Sequence, residues 1–214
     1  MQERFLGAML GLAALAGIYG LSTLPWGWAA AIAFAGAGGW LVGGYVRQVR
    51  RQAEHDPLTG LNNRRPFERA LRVEWQRALR YDRPLSLLFV ELDDFGQINK
   101  YYGHIMGDKA LRAVAYRLNQ SIRGTDAIAR WGGDEFVILL PETDTDNALI
   151  LAERIRETVA ESLVRDLGRS ISVTISAGVA THPGAARTPS QLLRMAIEGQ
   201  RMAKVTKNAV AVVS

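Results

Sequence analysis

The stretch Arg130-Trp131-Gly132-Gly133-Asp134-Glu135-Phe136 joins two short apolar runs, Ala127 to Arg130 and Glu135 to Leu140, that read as strands. A Gly-Gly pair between two strands makes a tight hairpin turn, because glycine accepts backbone angles that other residues resist. Two adjacent carboxylates, Asp134 and Glu135, follow at once. Either they are solvent-facing acids after a bare turn, or cations or a substrate hold them together, since neighbouring like charges make each other costlier to ionise. The glycines also let a ligand approach the backbone closely, so a phosphate or metal site stands beside the bare-turn reading.

Upstream, Leu85 to Leu92 is an apolar strand that ends in the acidic run Glu91-Leu92-Asp93-Asp94. The period of two puts Glu91 and Asp93 on one face. Should this strand neighbour the one beginning at Glu135, Glu91 and Asp134 come within reach of one hard cation with oxygen ligands, of the kind magnesium forms with substrate phosphates. Such an ion neutralises a triphosphate and aligns a hydroxyl for in-line attack. The alternative is that these acids only cap the next helical turn.

Periodicity places helices over Arg65 to Tyr81, Ile105 to Gln120, Asp144 to Glu161 and Pro189 to Lys204. Strands are expected over Ser172 to Ala180 and Ala209 to Val213. Hairpinned strands mixed with helices predict an α/β sandwich whose sheet is covered on one side.

The first 46 residues differ in kind, holding almost no charge beyond Glu3 and Arg4. Phe5 to Leu24 and Trp26 to Val46 are uncharged apolar stretches, each near the ~20 residues that cross a bilayer as a helix, separated by Pro25-Trp26-Gly27. Residues 1–46 therefore read as a transmembrane hairpin, helices about 5–24 and 26–46, in contact with membrane lipid. Arg47, Arg50 and Arg51 mark the cytoplasmic side, which puts a following domain in the cytoplasm at the inner (cytoplasmic) membrane. Residues 47–55, polar and free of Gly and Pro, continue as a helical linker until Asp56-Pro57. The net charge of +5 suits anionic lipid or phosphates without specifying nucleic acid, which is not expected as a partner. The absence of cysteine excludes a disulfide framework, a thiolate metal site and a cysteine nucleophile.

With their flanks, the two acidic clusters resemble the GGDEF family of diguanylate cyclases over nearly all of residues 55 to 210. The run Asp56-Pro57-Leu58-Thr59-Gly60-Leu61-Asn62-Asn63-Arg64-Arg65 looks like the family's opening, and Gly132 to Phe136 is its name-giving signature. Asn99, Gly103, His104, Gly107 and Asp108 stand at its spacing, and Ser176-Ala177-Gly178-Val179-Ala180 matches its late core strand. The resemblance implies a palm-like nucleotidyl cyclase domain over 56–214, with a central, mostly antiparallel sheet flanked by helices. It implies a homodimer in which each domain holds one GTP and each 3′-hydroxyl attacks the partner's α-phosphate, giving cyclic di-GMP.

Carried over by resemblance, Gly132, Gly133, Asp134 and Glu135 form the catalytic signature, and Glu135 handles the hydroxyl proton. Asp134 binds magnesium (or manganese) through its side chain, Glu91 stands where a metal-ligating aspartate is usual, and Leu92 lends its carbonyl. Asn99 and Asp108 hydrogen-bond the guanine edge, unless they only cap helices. Lys204 and Lys207 reach the triphosphate, unless they are merely solubilising. Arg123 and Asp126 form an R-x-x-D at the spacing of the inhibitory product site, where cyclic di-GMP would bind; the alternative is a surface ion pair or turn.

Several positions depart from the pattern. Glu91 adds a methylene, with Asp93 on the same face placed to compensate, and Glu91→Asp is expected to raise activity. Gly96 replaces a lysine that faces the phosphates, Lys100 stands where an acid is common, Ile197 replaces a frequent aspartate, and the glycine before the basic pair is missing. Two classes follow: an active cyclase with weakened turnover, or a degenerate domain that binds GTP or cyclic di-GMP as a receptor or dimerises without turnover.

Overall fold

The hairpin at Gly132-Gly133 forms as read: β3 (Ala127–Gly132) and β4 (Glu135–Pro141) pair antiparallel, with a register shift between Arg130 and Gly132. The computed structural model describes residues 36–40, 54–166, 171 and 173–213. The expected hairpin of residues 1–46 and most of the linker 47–55 lie outside the described residues, apart from a helical piece at 36–40. Among the described residues no helix is long and apolar enough to cross a membrane. The chain divides into two units, Met1–Ala53 and Glu54–Ser214, and the second carries everything that follows.

That unit runs β1 (Asn62–Asn63), α1 (Arg64–Tyr81), β2 (Leu85–Leu92), α2 (Phe95–Tyr102), α3 (His104–Ser121), β3, β4, α4 (Thr145–Asp166), β5 (Ile175–His182), α5 (Pro189–Thr206) and β6 (Val210–Val213). The sheet order is β1-β3-β4-β2-β5-β6. Its four central strands are antiparallel and its edges, β1 on β3 and β6 on β5, are parallel, so the sheet is mixed.

The expectation of a sheet covered on one side is wrong. Leu88 and Val90 of β2, with Phe136 and Ile138 of β4, face Leu111, Val114 and Leu118 of α3 and Ala152 and Ile155 of α4. The alternate residues Leu87, Phe89, Val137 and Leu139 face Phe67, Leu71 and Trp75 of α1 and Leu192 and Ala196 of α5. A strand buried on both faces cannot alternate polar with apolar, which is why β2 reads as an unbroken apolar run.

Some elements differ from the expectation. The short α2 went unread because it has eight residues and a single buried one, Ile98, too few to make a period. β5 begins at Ile175 rather than Ser172 because its partner β2 ends at Leu92, which pairs with Ile175. Of the expected linker only Glu54 and His55 are described: Glu54 is helical, and His55 bridges to Asn62, closing a loop in which the Asp56 N–H donates to the Leu61 carbonyl at 2.8 Å.

Candidate active site

β2 and β4 are neighbours, and their register sets Glu91 directly opposite Glu135. Both acids lie one step beyond Phe89 and Val137, on the face that α1 and α5 cover. The ladder continues into the turn, where the Leu92 N–H donates to the Asp134 carbonyl at 3.2 Å. Gly133 has φ +46°, a conformation that strains other residues, so the turn needs its second glycine. Arg130 braces this turn: its guanidinium donates from Nε to the Gly133 carbonyl at 2.9 Å and from Nη1 to both Asp56 oxygens at 3.1 Å. Asp56 also accepts from the Thr59 hydroxyl and N–H at 2.7 and 2.8 Å. Burial works to raise the Asp56 pKa, but the bonds from Thr59 and Arg130 hold it below the ordinary value. The opening motif is thus a clamp on the signature turn.

Three carboxylates therefore converge, and among the described residues only Glu91 has side-chain partners, Lys204 and Gln200. Burial, and then the charge of Glu91, push the Asp134 pKa up, against the pull of Lys204 and Arg130. Glu135 is raised by burial, then by Glu91 and Asp134, with Lys204 opposing. Like charges directly opposite across a sheet destabilise it, so an additional cation would be favourable here. The oxygen set of Glu91, Asp134 and the Leu92 carbonyl suits magnesium or manganese. Among the described residues no three acidic or histidine side chains stand in ligating geometry by themselves. Phosphate oxygens and water would complete such a shell, as is usual for magnesium.

Both lysines meet acidic side chains. Lys204 Nζ donates to the Leu92 carbonyl at 2.6 Å and sits 2.8 Å from Glu91 Oε1, so it engages two of the groups assigned to the cation. Lys207 Nζ donates to both Asp94 oxygens at 2.8 Å. Asp93 does not compensate for Glu91. It is buried, its Oδ1 accepts from the Ser176 hydroxyl at 2.7 Å, and its Oδ2 accepts from the Thr174 hydroxyl and the Asn208 N–H, each at 2.8 Å. Its oxygens tie β2 to β5 and to the end of α5, and Lys204 Nζ also lies 3.5 Å from Oδ1.

Asn99 on α2 and Asp108 on α3 lie either side of the break at Gly103 and are half-buried. The capping alternative fails for α3, whose N-cap is Gly103 with no side-chain bond. The Asn99 side chain fills the space that Gly107 leaves open: a Cβ there would run into Asn99 Oδ1 and stand 3.2 Å from the Phe95 ring. The Asn99 amide is thereby laid over the first turn of α3, at Gly107. Gly96 is exposed with open space around it.

Residues 53–209 match the family model described as "Diguanylate cyclase, GGDEF domain". The chain belongs to the GGDEF family. It is 39% identical over 176 residues to the response regulator PleD of Caulobacter vibrioides, covering 78% of this chain and 39% of that protein. It is 44% identical over 137 residues to the diguanylate cyclase DgcM of Escherichia coli K12, covering 64% of this chain and 33% of that protein. The chain thus spans well under half the length of these relatives. Among solved structures, the coiled coil and GGDEF domain of DgcB from Caulobacter crescentus in complex with c-di-GMP superposes with TM-score 0.78 at 26% identity, covering 86% of this chain and 98% of that one. Diguanylate cyclase SiaD of Pseudomonas aeruginosa, in complex with its activator SiaC, gives TM-score 0.71 at 32% identity, covering 81% and 67%. The fold is the palm-like α/β fold of this family, with a mixed sheet flanked by helices.

The R-x-x-D of this GGDEF domain sits apart from the carboxylates, between α3 and β3. It is a turn rather than an ion pair: Asp126 Oδ2 accepts from the Arg123 backbone N–H at 2.8 Å, and the Asp126 N–H donates to the Arg123 carbonyl at 3.1 Å. The Arg123 side chain is exposed beside a cleft also lined by Asp126, Asn147 and Arg154. Arg154 was not singled out from sequence. It donates to the Ser121 carbonyl at 2.8 Å, and its spacing of seven from Asn147 puts both on the cleft side of α4.

Proposed function

We propose that this domain condenses two GTP molecules into cyclic di-GMP with magnesium or manganese, acting as a homodimer whose two sites face each other. The observation that carries the reading is the meeting of Glu91, Asp134 and Glu135 at the adjoining ends of β2 and β4, with Lys204 alongside. Glu91, Asp134 and the Leu92 carbonyl would hold the divalent ion, which when bound supplies charge neutralisation to the triphosphate. Glu135, raised toward neutrality by burial and its neighbours, is suited to accept the 3′-hydroxyl proton. The Asn99 amide would donate to the guanine edge and the Asp108 carboxylate accept from its N–H groups, and a site that must satisfy such polar groups discriminates against adenine. Lys207 is within reach of phosphate once released from Asp94. At the second site, the Arg123 and Arg154 guanidinium groups would bind the product's phosphates or guanine edges and restrain turnover.

One observation favours the second reading, a domain that binds GTP or cyclic di-GMP without turnover: Lys204 already satisfies the Glu91 carboxylate and the Leu92 carbonyl. The test is to incubate the full chain in detergent with GTP and magnesium and to assay cyclic di-GMP by mass spectrometry. Product that disappears in Asp134→Ala and in Glu135→Ala, and that accumulates further in Arg123→Ala, supports the cyclase with feedback. Nucleotide binding by a folded dimer without product would establish the receptor reading. Residues 1–46 are proposed to anchor the domain to the cytoplasmic face of the inner membrane, on the strength of their two uncharged stretches and the arginines that follow. Recovery of the chain in the soluble fraction after membrane sedimentation would refute that.

A further inference from the structure

Glu91 is held at both oxygens. Oε1 meets Lys204 Nζ at 2.8 Å, and Oε2 accepts from Gln200 Nε2 at 2.7 Å. Gln200 is 3% exposed and sits in the buried stripe of α5 with Leu192, Ala196, Gly199 and Ala203. A glutamine in an apolar stripe carries a desolvation cost unless its amide is bonded, and Glu91 is the partner that the structure provides.

Its placement is tightly determined. A Cβ on Gly178 of β5 would collide with the Ala196 carbonyl and the Gln200 N–H, and one on Gly199 would lie 3.0 Å from both the Ala211 carbonyl and Gly178 Cα. Two facing glycines thus let α5 rest directly on β5, and this backbone contact brings Gln200 up to the end of β2. Glu91 is paired with Ser176 of β5 on one side and with Glu135 of β4 on the other, so its backbone is fixed as well. A glutamate has one more rotatable bond than aspartate, and its carboxylate would otherwise roam by about a bond length, a scale to which metal sites are sensitive.

We propose that Gln200 is a positioning residue for divalent-cation binding: it pins the Glu91 carboxylate and so makes a glutamate serve where the family usually has aspartate. Each carboxylate oxygen keeps a second lone pair for an ion after accepting one hydrogen bond. The inference rests on the cyclase site described above, but it concerns geometry that turnover does not define. It also reverses the simple expectation for Glu91→Asp, because the shorter side chain withdraws from Gln200 and leaves a buried amide unpaired.

The test is a double-mutant cycle in the full chain in detergent, using Gln200→Leu, Glu91→Asp and the pair. Manganese affinity is read by electron paramagnetic resonance in the presence of a non-hydrolysable GTP analogue, and thermal melting is recorded for each variant. Gln200→Leu should weaken manganese binding about tenfold or more, the range found when a group orienting a metal ligand is removed. Glu91→Asp alone should bind no better than the parent, and the pair should regain at least the parent affinity. Gln200→Met, less branched and of similar length, serves where the leucine variant does not fold. Unchanged manganese affinity in Gln200→Leu or Gln200→Met, or strictly additive effects in the cycle, would overturn the proposal. Coupled binding without product leaves the clamp standing and removes the cyclase; product with additive binding does the reverse.

Discussion

Asp93 and Asp134 lie at the same end of the sheet, and the chain surrounds them oppositely. Asp93 has its oxygens filled by Ser176, Thr174 and the Asn208 N–H. Among the described residues no side-chain donor reaches Asp134 or its neighbour Glu135, and both are raised by burial and by nearby carboxylates. A carboxylate whose lone pairs are satisfied internally serves the fold; carboxylates crowded together without donors are kept at the expense of stability, which is what a ligand site requires.

The sharpest way to break this contrast is to truncate each acid. Asp134→Ala should cost at least about a hundredfold in cyclic di-GMP production, with no fall in melting temperature. Asp93→Ala should destabilise the fold by about 3 kcal/mol in urea titration, because three buried donors lose their acceptor together. If Asp134→Ala unfolds the protein and Asp93→Ala does not, the assignment of roles is inverted.

The contrast can be sharpened next by pH. A carboxyl whose folded pKa lies above its unfolded value binds protons more readily in the native state, so its contribution to stability is best in acid and declines as pH rises through the folded value. Asp134 and Glu135 start from ordinary values of 3.8 and 4.5 and are both raised, so without divalent metal the domain should lose stability as pH climbs from that range toward neutrality. Asp56 opposes this in its own window: its pKa is lowered from 3.8, so its contribution is full above that value and is lost as pH falls below it. The measurement is the urea midpoint against pH for the parent and for Asp134→Asn/Glu135→Gln, in chelator. The decline toward neutrality should vanish in the variant and be suppressed by magnesium in the parent.

Much of this was legible in the residues. The Gly132-Gly133 turn, the β2 and β4 strands and the four long helices follow from periodicity and turn chemistry, which act locally. Coverage of both sheet faces was written in the unbroken run Leu85 to Val90 but required asking what lies on each side of a strand. Gln200 was visible as a polar residue in the apolar stripe of α5, although its partner, 109 positions away, was not. The saturation of Asp93 was hidden for the same reason: its donors come from β5 and the end of α5, and strand alternation says which way a carboxylate points without saying what waits there. Arg154 is of this kind too, since only the packing of α4 against α3 brings it to the cleft of Arg123.

The smallest expected effect concerns Lys207, which links the two kinds of carboxylate. Its ammonium is held by Asp94, chiefly through their hydrogen bond, which raises the Lys207 pKa, and both side chains are about half exposed. Exposed pairs of this sort contribute little to folding, so Lys207→Ala should leave the melting temperature within error of the parent. If the residue is instead parked on Asp94 for use on phosphate, the same substitution should raise the KM for GTP severalfold, the signature of a lost binding contact, with kcat nearly unchanged. Asp94→Asn then separates the roles. Weakening the parking site should lower the KM if Lys207 must leave Asp94 to meet the triphosphate, whereas an unchanged KM in both variants would make the pair a surface ornament of the turn between β2 and α2.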